Sequence, residues 1–383
     1  MKNNKTKRLK ICHVADLNEI HCRRYIGYFI QKDFADISIL NCRPLKIEGL
    51  PFDENSKKCE IFDVSSKIKI PVIRHIISFL KMRKVIAMIR PDILHVHSAG
   101  VYAFLSVLVG FRPVVVFPWG SDVLTEPKRS RILKWTTQYV VRKADLITPS
   151  SEVAANACIQ LGASKDRISI IQVGIDLDKF KPDISAKELR SKLRIADSDP
   201  VIISVRDFRK NYNIEYIIKC IPYVLNRIPN AKFVFLRGPH ETEEKKLKCV
   251  VEKFAIEDAV RFVGRVEHDE MPLYYNLSDL IVSVPSSDSS PNSLHEAMAC
   301  GVVPIVSDIP ANRYWIKDGS NGAVVPLYSP EIIADKIIAL LNDKIKREDC
   351  SRINLQIVKE KLDIKSKDPV SLADALVSIL CDR

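Results

Sequence analysis

Among its 383 residues the sequence has no run of 18 or more uncharged apolar residues, so no transmembrane helix is expected from it. Its basic start, "MKNNKTKRLKICHVAD", is not followed by the apolar stretch of a secretion signal, and "LKICHVA" reads instead as a buried first strand. There are 10 cysteines but no Cys-x-x-Cys pair and no tight Cys/His cluster. That argues against a structural metal site and for reduced, mostly buried thiols in a cytoplasmic protein. Internal repeats and low-complexity tracts are also missing.

What is present is cationic and unevenly placed. The net charge is +12, and the whole excess lies in residues 1–185, with 30 Lys+Arg against 18 Asp+Glu. Such asymmetry points to an anionic surface or partner for that half. No aromatic-interleaved basic motif accompanies it, so nucleic acid is not the expected partner.

Short apolar runs ending in Gly, Ser or Pro recur along the chain. The first group is "RLKICHVADL", "ADISILNC", "PDILHVHSAG", "RPVVVFPWG", "ADLITPSS" and "RISIIQVGI". Helix-like segments at 22–32, 101–109, 128–143 and 151–161 lie between them. Residues 176–200, polar and rich in charge, read as a linker. The alternation resumes with "PVIISVR", "AKFVFLRG", "VRFVGRV", "LIVSVPS", "VVPIVSD" and "GAVVP", with helices expected near 213–227 and 242–254. Strands alternating with helices predict an α/β chain of two domains, 1–180 and 181–383, each a parallel sheet wrapped by helices. In such sheets, ligands bind beyond the carboxyl ends of the strands.

The stretch "SSDSSPNSLHEAMACGVVP" follows one of these strands. It predicts a loop, then a helix starting near Asn292 or Ser293, closed by Gly301, with Glu296 in its first turn. A helix start offers free N–H groups and a positive dipole end, suited to a phosphate, and a nearby carboxylate can accept from ribose hydroxyls. The alternative is an Asn or Ser cap with Glu296 in a capping box. Arg206, Arg209 and Lys210, at the end of another strand, either neutralise a diphosphate or form a solvated basic loop.

The segment "SDSSPNSLHEAMACGVVPIVSDIPANRYWIKDGSNGAVVP" resembles the signature of the family 4 retaining glycosyltransferases, which have two acids separated by seven residues, here Asp288 and Glu296. The resemblance extends through "HVHSAGVYAFL", "PWGSDVL", "ADLITPSSEVA" and "VGIDLDKF". It implies the GT-B fold, two Rossmann-like doubly wound domains facing across a cleft, with the final helix returning to the first domain. It implies that Glu296 holds the ribose of a UDP- or GDP-linked sugar and that Asp288 contacts the sugar. Arg206 and Lys210 would bind the diphosphate, with Ser290, Pro291, Asn292 and Ser293 beside the donor. The backbone at Gly264 and Arg265 would meet the base. Two cations and helix N–H groups would stabilise the departing diphosphate without a metal or other cofactor. "DLD" at 176–178 and "DSD" at 197–199 are read as turn and cap residues.

On the acceptor side, Asn18, His21 and Arg24 follow the first strand, and His97 ends another, facing either core or ligand. Trp119 stands where relatives often carry His, Gly120 permits close approach, and Asp122 is either a sugar contact or a cap. The implied reaction moves a sugar to a saccharide or lipid-linked acceptor. The alternatives are a nucleotide-sugar epimerase and a non-catalytic basic peripheral-membrane protein.

Between Lys67 and Arg90 lie seven cations and no acid. "VIRHIISFLKMRKVIAMI" places apolar residues at 73, 76, 77, 80, 86 and 89, predicting a helix with its apolar side inward and its charges outward. That cationic face is either simply solvated or rests on an anionic membrane at the inner face of the cell.

Overall fold

The computed structural model describes residues 8–46, 59–172, 174–236 and 241–364. The chain divides into two compact units after Gln172, somewhat before the expected boundary at 180. The proposed return of the final helix lies outside the described residues.

The first unit holds six strands: β1 (Leu9–Ala15), β2 (Ala35–Asn41), β3 (Cys59–Asp63), β4 (Ile93–His97), β5 (Val114–Phe117) and β6 (Leu146–Ile147). They form one sheet in the order β3-β2-β1-β4-β5-β6, every pair parallel. Its helices are α1 (Ile20–Lys32), α2 (Pro71–Ile89), α3 (Val101–Leu108), α4 (Ser121–Leu124), α5 (Arg131–Lys143) and α6 (Glu152–Gln160). One core lies under α2, α3, α5 and α6, with Met82, Ile86, Ala103, Val140 and Ala154 packed on the sheet. The other lies under α1, around Cys22, Ile26 and Phe29. Parallel strands covered on both faces explain the near-continuous apolar runs of β4 and β5.

The second unit repeats the plan with β7 (Val201–Ser204), β8 (Lys232–Leu236), β9 (Val260–Val263), β10 (Leu280–Ser283), β11 (Val303–Ser307) and β12 (Ala323–Val325). Their order is β12-β11-β10-β7-β8-β9, again parallel. The helices are α7 (Lys187–Lys192), α8 (Ile214–Leu225), α9 (Glu241–Lys253), α10 (Met271–Asn276), α11 (Asn292–Ala299), α12 (Pro310–Arg313), α13 (Pro330–Asn342) and α14 (Lys344–Leu362). In both sheets the strand order reverses beside the first strand, at β1/β4 and at β7/β10. Loops diverge there and leave a crevice at the carboxyl edge.

Three expectations change. Among its described residues "RISIIQVGI" forms no strand and contributes only isolated bridges, Ile147 with Ile168 and Ile175 with Asp363. The segment 176–200 is no free linker: it contains α7, and Phe180 and Ile195 are buried against Tyr275 and Met298 of the second unit. Asp176 and Asp199 accept from the N–H groups of Asp178 and Ala196, as turn residues do.

The third change concerns α2. Its buried residues are Ser78, Met82 and Ile86, four apart, so this stripe faces the core. Ile73, Ile76 and Leu80 fall off that stripe and are exposed, not inward as expected. The helix is apolar around most of its circumference, and the packing of Met82 and Ile86 fixes its rotation.

Candidate active site

At the β7/β10 crevice, Arg206 follows β7 and reaches over the end of β10. Its Nε donates to Ser283 Oγ at 3.0 Å, and its guanidinium pairs with the Asp288 carboxylate. The side chain is only 13% exposed and stacks over the Tyr212 ring at 5.1 Å. Burial is the largest single influence and works against its charge, but the Asp288 carboxylate, Tyr212 and Tyr275 together hold the guanidinium pKa above its ordinary value. Asp288 also accepts from the Ser289 N–H at 2.7 Å, so the loop is braced on itself.

Helix α11 begins at Asn292 with Pro291 as its N-cap and no side-chain cap, and Gly301 follows its end at φ 80°, where glycine is favoured. The alternative reading, an Asn or Ser cap with Glu296 in a capping box, is therefore not what α11 shows. Glu296 is the fifth helical residue, just past the expected first turn. Its Oε1 lies 2.8 Å from His268 Nε2, and its Oε2 accepts from Tyr275 Oη at 2.9 Å. His268 Nδ1 lies 3.2 Å from Lys179 Nζ. The ammonium can only donate, so Nδ1 accepts and the proton sits on Nε2, which donates to Glu296. Burial, then the nearby Glu296 charge, pushes the Tyr275 hydroxyl well above its usual pKa, whereas Arg206 pulls it down. Tyr275 thus lies within electrostatic reach of both Glu296 and Arg206.

Ser290 Oγ, Asn292 Oδ1 and Ser293 Oγ are buried without a hydrogen-bond partner among the described residues. Each such atom costs about 1–3 kcal/mol when left unsatisfied, so their gathering at a helix start marks a place for a polar ligand. Lys210 is exposed in a short turn and forms no ion pair among the described residues. Arg209 pairs with Asp207 at 3.0 Å. Gly264 and Arg265 follow β9; a side chain at Gly264 would meet open space, and Arg265 pairs with Glu267 at 3.4 Å. The same loop carries His268 back to Glu296.

In the first unit, Asn18 braces the loop after β1: its amide donates to Asp16 Oδ1 at 2.8 Å and its Oδ1 accepts from Lys46 N at 2.8 Å. His21 is exposed, with its ring 5.7 Å from Trp119, and the Arg24 side chain lies outside the described residues. Gly120 adopts φ 119°, which L side chains rarely take. Asp122 is buried and accepts from the N–H groups of Ala99 at 2.6 Å, Gly120 at 2.8 Å and Trp119 at 3.3 Å. Burial raises its pKa, while those N–H groups oppose the rise. Both its oxygens are engaged in tying the loop after β4 to the loop after β5, rather than in presenting an acid to a sugar.

His97 belongs to the core: its Nε2 lies 2.9 Å from His13 Nδ1, and its ring stacks on Trp119 at 6.2 Å. Among the described residues, His13, His95 and His97 are the one group of three such side chains close enough to share an ion. The register of β1 and β4 places them side by side beneath α1.

These features meet independent comparisons. Residues 185–356 match the family described as glycosyl transferases group 1, and residues 10–151 match glycosyl transferase 4-like. The chain is a group 1 glycosyltransferase. This glycosyltransferase is 25% identical over 273 residues to N-acetyl-alpha-D-glucosaminyl L-malate synthase of Bacillus anthracis, covering 69% of each chain. It is 22% identical to the UDP-Gal:alpha-D-GlcNAc-diphosphoundecaprenol alpha-1,3-galactosyltransferase of Escherichia coli, covering 72% of this chain and 73% of that one. Against alpha-monoglucosyldiacylglycerol synthase of Streptococcus pneumoniae the identity is 27%, over 56% of this chain and 48% of the relative, so the chain spans about half of that protein's length. The crystal structure of Anabaena HepE with UDP and glucose superposes with a TM-score of 0.79 at 17% identity, over 97% of this chain and 100% of that one. The glycosyltransferase therefore has the GT-B fold.

Sequence reasoning missed His268, Tyr275, Ser283 and Lys179. No local signal marks them: His268 sits in the polar run "VEHDEM", and Lys179 in what reads as a linker.

Proposed function

We propose that this glycosyltransferase moves a sugar from a UDP- or GDP-linked donor to a saccharide or lipid-linked acceptor, with retention at the anomeric carbon and without a divalent metal. The observation that carries this reading is the gathering of Arg206, Asp288 and Glu296 at the β7/β10 crevice, beside the unsatisfied polar atoms of α11. Glu296 takes the ribose hydroxyls. Its two oxygens together offer about four acceptor positions, so two remain while His268 and Tyr275 hold it in place.

As the bond from the anomeric carbon to the diphosphate oxygen breaks, negative charge grows on the leaving group. Arg206, preorganised by Ser283 and Asp288, meets that charge, and Lys210 is an exposed second cation free to approach it. The acceptor oxygen bonds to the same face of the sugar, and its proton passes to the departing phosphate oxygen. Asp288, beside Arg206, contacts the sugar. The named relatives act on small, lipid and lipid-linked acceptors, which favours a role in cell-surface polysaccharide or glycolipid synthesis in the cytoplasm. They are all transferases or synthases of sugar conjugates, so neither the epimerase nor the non-catalytic alternative is carried forward.

The test is a panel of nucleotide sugars incubated with saccharide and lipid-linked acceptors. One donor should be consumed with formation of a glycosylated product. Conversion of a donor to its epimer, or no turnover of any donor while the chain is folded, would refute the reading.

A further inference from the structure

The outward stripe of α2 has a counterpart on α5. Along α2 and the residues before it, Ile70, Val72, Ile73, Ile76 and Leu80 are exposed, Val72 to 68%. At the start of α5, Ile132, Leu133 and Trp135 are exposed, Ile132 to 74% and Trp135 to 56%. Every residue from Lys128 to Trp135 is exposed.

Each apolar set is framed by cations. Lys67, Lys69, Arg83 and Lys84 flank the first, and Lys128, Arg129, Arg131 and Lys134 flank the second. All are exposed, and none is ion-paired among the described residues.

The two sets share one edge of the unit. α2 runs back from β3 to β4, and α5 from β5 to β6. The strands are parallel, so both helices begin at the carboxyl edge of the sheet. α3 joins them: the Tyr102 ring lies 6.1 Å from His75, and the Phe104 ring lies 5.5 Å from Trp135. The loops carrying Asn18, Trp119 and Gly120 lie at the same edge.

We propose that the starts of α2 and α5 together form a membrane-docking surface that inserts its apolar side chains into an anionic lipid bilayer. Solvent-exposed aliphatic side chains ringed by unpaired cations match the acyl boundary and headgroups of such a leaflet, with an aromatic ring at the interface. A purely electrostatic partner would leave the aliphatic side chains in water. The surface needs neither donor nor acceptor, so it stands apart from the transfer reaction. It would bring a lipid-linked acceptor to the edge where the acceptor-side loops sit.

The test uses the full chain and sucrose-loaded vesicles of phosphatidylglycerol or of phosphatidylcholine. The wild type should sediment with the anionic vesicles, and Trp135 emission should shift to the blue. Trp315 is buried and Trp119 is half-buried with its indole nitrogen enclosed, whereas Trp135 is exposed, so Trp135→Phe should remove the shift. The pairs Ile76→Asp/Leu80→Asp and Arg131→Glu/Lys134→Glu should each weaken partitioning at least about ten-fold, the first by placing charge at the acyl boundary and the second by replacing headgroup attraction with repulsion. All replaced residues are exposed, and circular dichroism checks folding. Glu296→Ala should bind vesicles as the wild type does while losing transfer. Absence of sedimentation, equal recovery with both lipids, or full binding by both paired variants would overturn the docking surface and leave the transfer reaction standing.

Discussion

Glu296 is held on both carboxylate oxygens, by His268 Nε2 at 2.8 Å and by Tyr275 Oη at 2.9 Å, and His268 is in turn fixed by Lys179. His268 is thus a positioning residue for the ribose contact. His268→Ala should raise KM for the donor by about ten-fold, one hydrogen bond to a charged group, with a smaller change in kcat. His268→Gln, whose amide can still donate, should recover much of the loss. Equal damage by both variants, or a drop in thermal stability without a KM effect, would assign His268 a structural role.

Glu296→Ala should weaken donor binding roughly ten- to a hundredfold, the loss of charged hydrogen bonds worth about 1.5–3 kcal/mol. Calorimetry with the nucleoside diphosphate sugar measures it. Donor affinity unchanged in a folded variant would remove Glu296 from the site.

Arg206 and Asp288 should separate in their effects. Arg206 faces developing charge, so Arg206→Ala should lower kcat by about 10²-fold with a smaller loss of affinity. Asp288→Asn removes a negative charge from beside the diphosphate. It should bind the free nucleoside diphosphate at least as tightly as the wild type while turning over more slowly. Weaker binding of the nucleoside diphosphate by this variant would show that Asp288's hold on Arg206 outweighs its repulsion of the anion.

The strands were legible where both faces are buried, because "DILHVH", "VVVF" and "LIVS" read as continuous apolar runs. β3, "CEIFD", was hidden by its charges at the sheet edge, and "RISIIQVGI" has a strand's composition but makes only isolated bridges among its described residues. The acids Asp288 and Glu296 were legible from their spacing and resemblance. Their partners were not, since His268 and Tyr275 reach Glu296 from 28 and 21 residues away and Arg206 reaches Asp288 across 82. Asp122 looked like a site acid because sequence cannot show that three backbone N–H groups already claim it. The rotation of α2 was equally hidden, because apolar residues surround the helix and only packing selects the stripe.

The histidine cluster sets an acid limit on the first unit. Burial lowers the pKa of His95 to about 3 and those of His13 and His97 well below the ordinary 6.5, with His95 adding repulsion to both. Below 6.5 the unfolded chain takes up protons that the folded core refuses. Stability is therefore present above 6.5 and lost as pH falls toward the folded values, by on the order of 1.4 kcal/mol per group per pH unit. Thermal melts at neutral and mildly acidic pH should show this loss. His95→Phe should make it shallower, since His95 has no hydrogen-bond partner among the described residues to lose. An unchanged slope would mean that other groups govern acid unfolding.

The most direct test is proton NMR of the transfer reaction run in excess EDTA, reading the anomeric configuration of the new linkage. The account predicts a product with the same configuration as the donor, formed at an undiminished rate. An inverted product, or transfer that appears only when a divalent metal is restored, would contradict it.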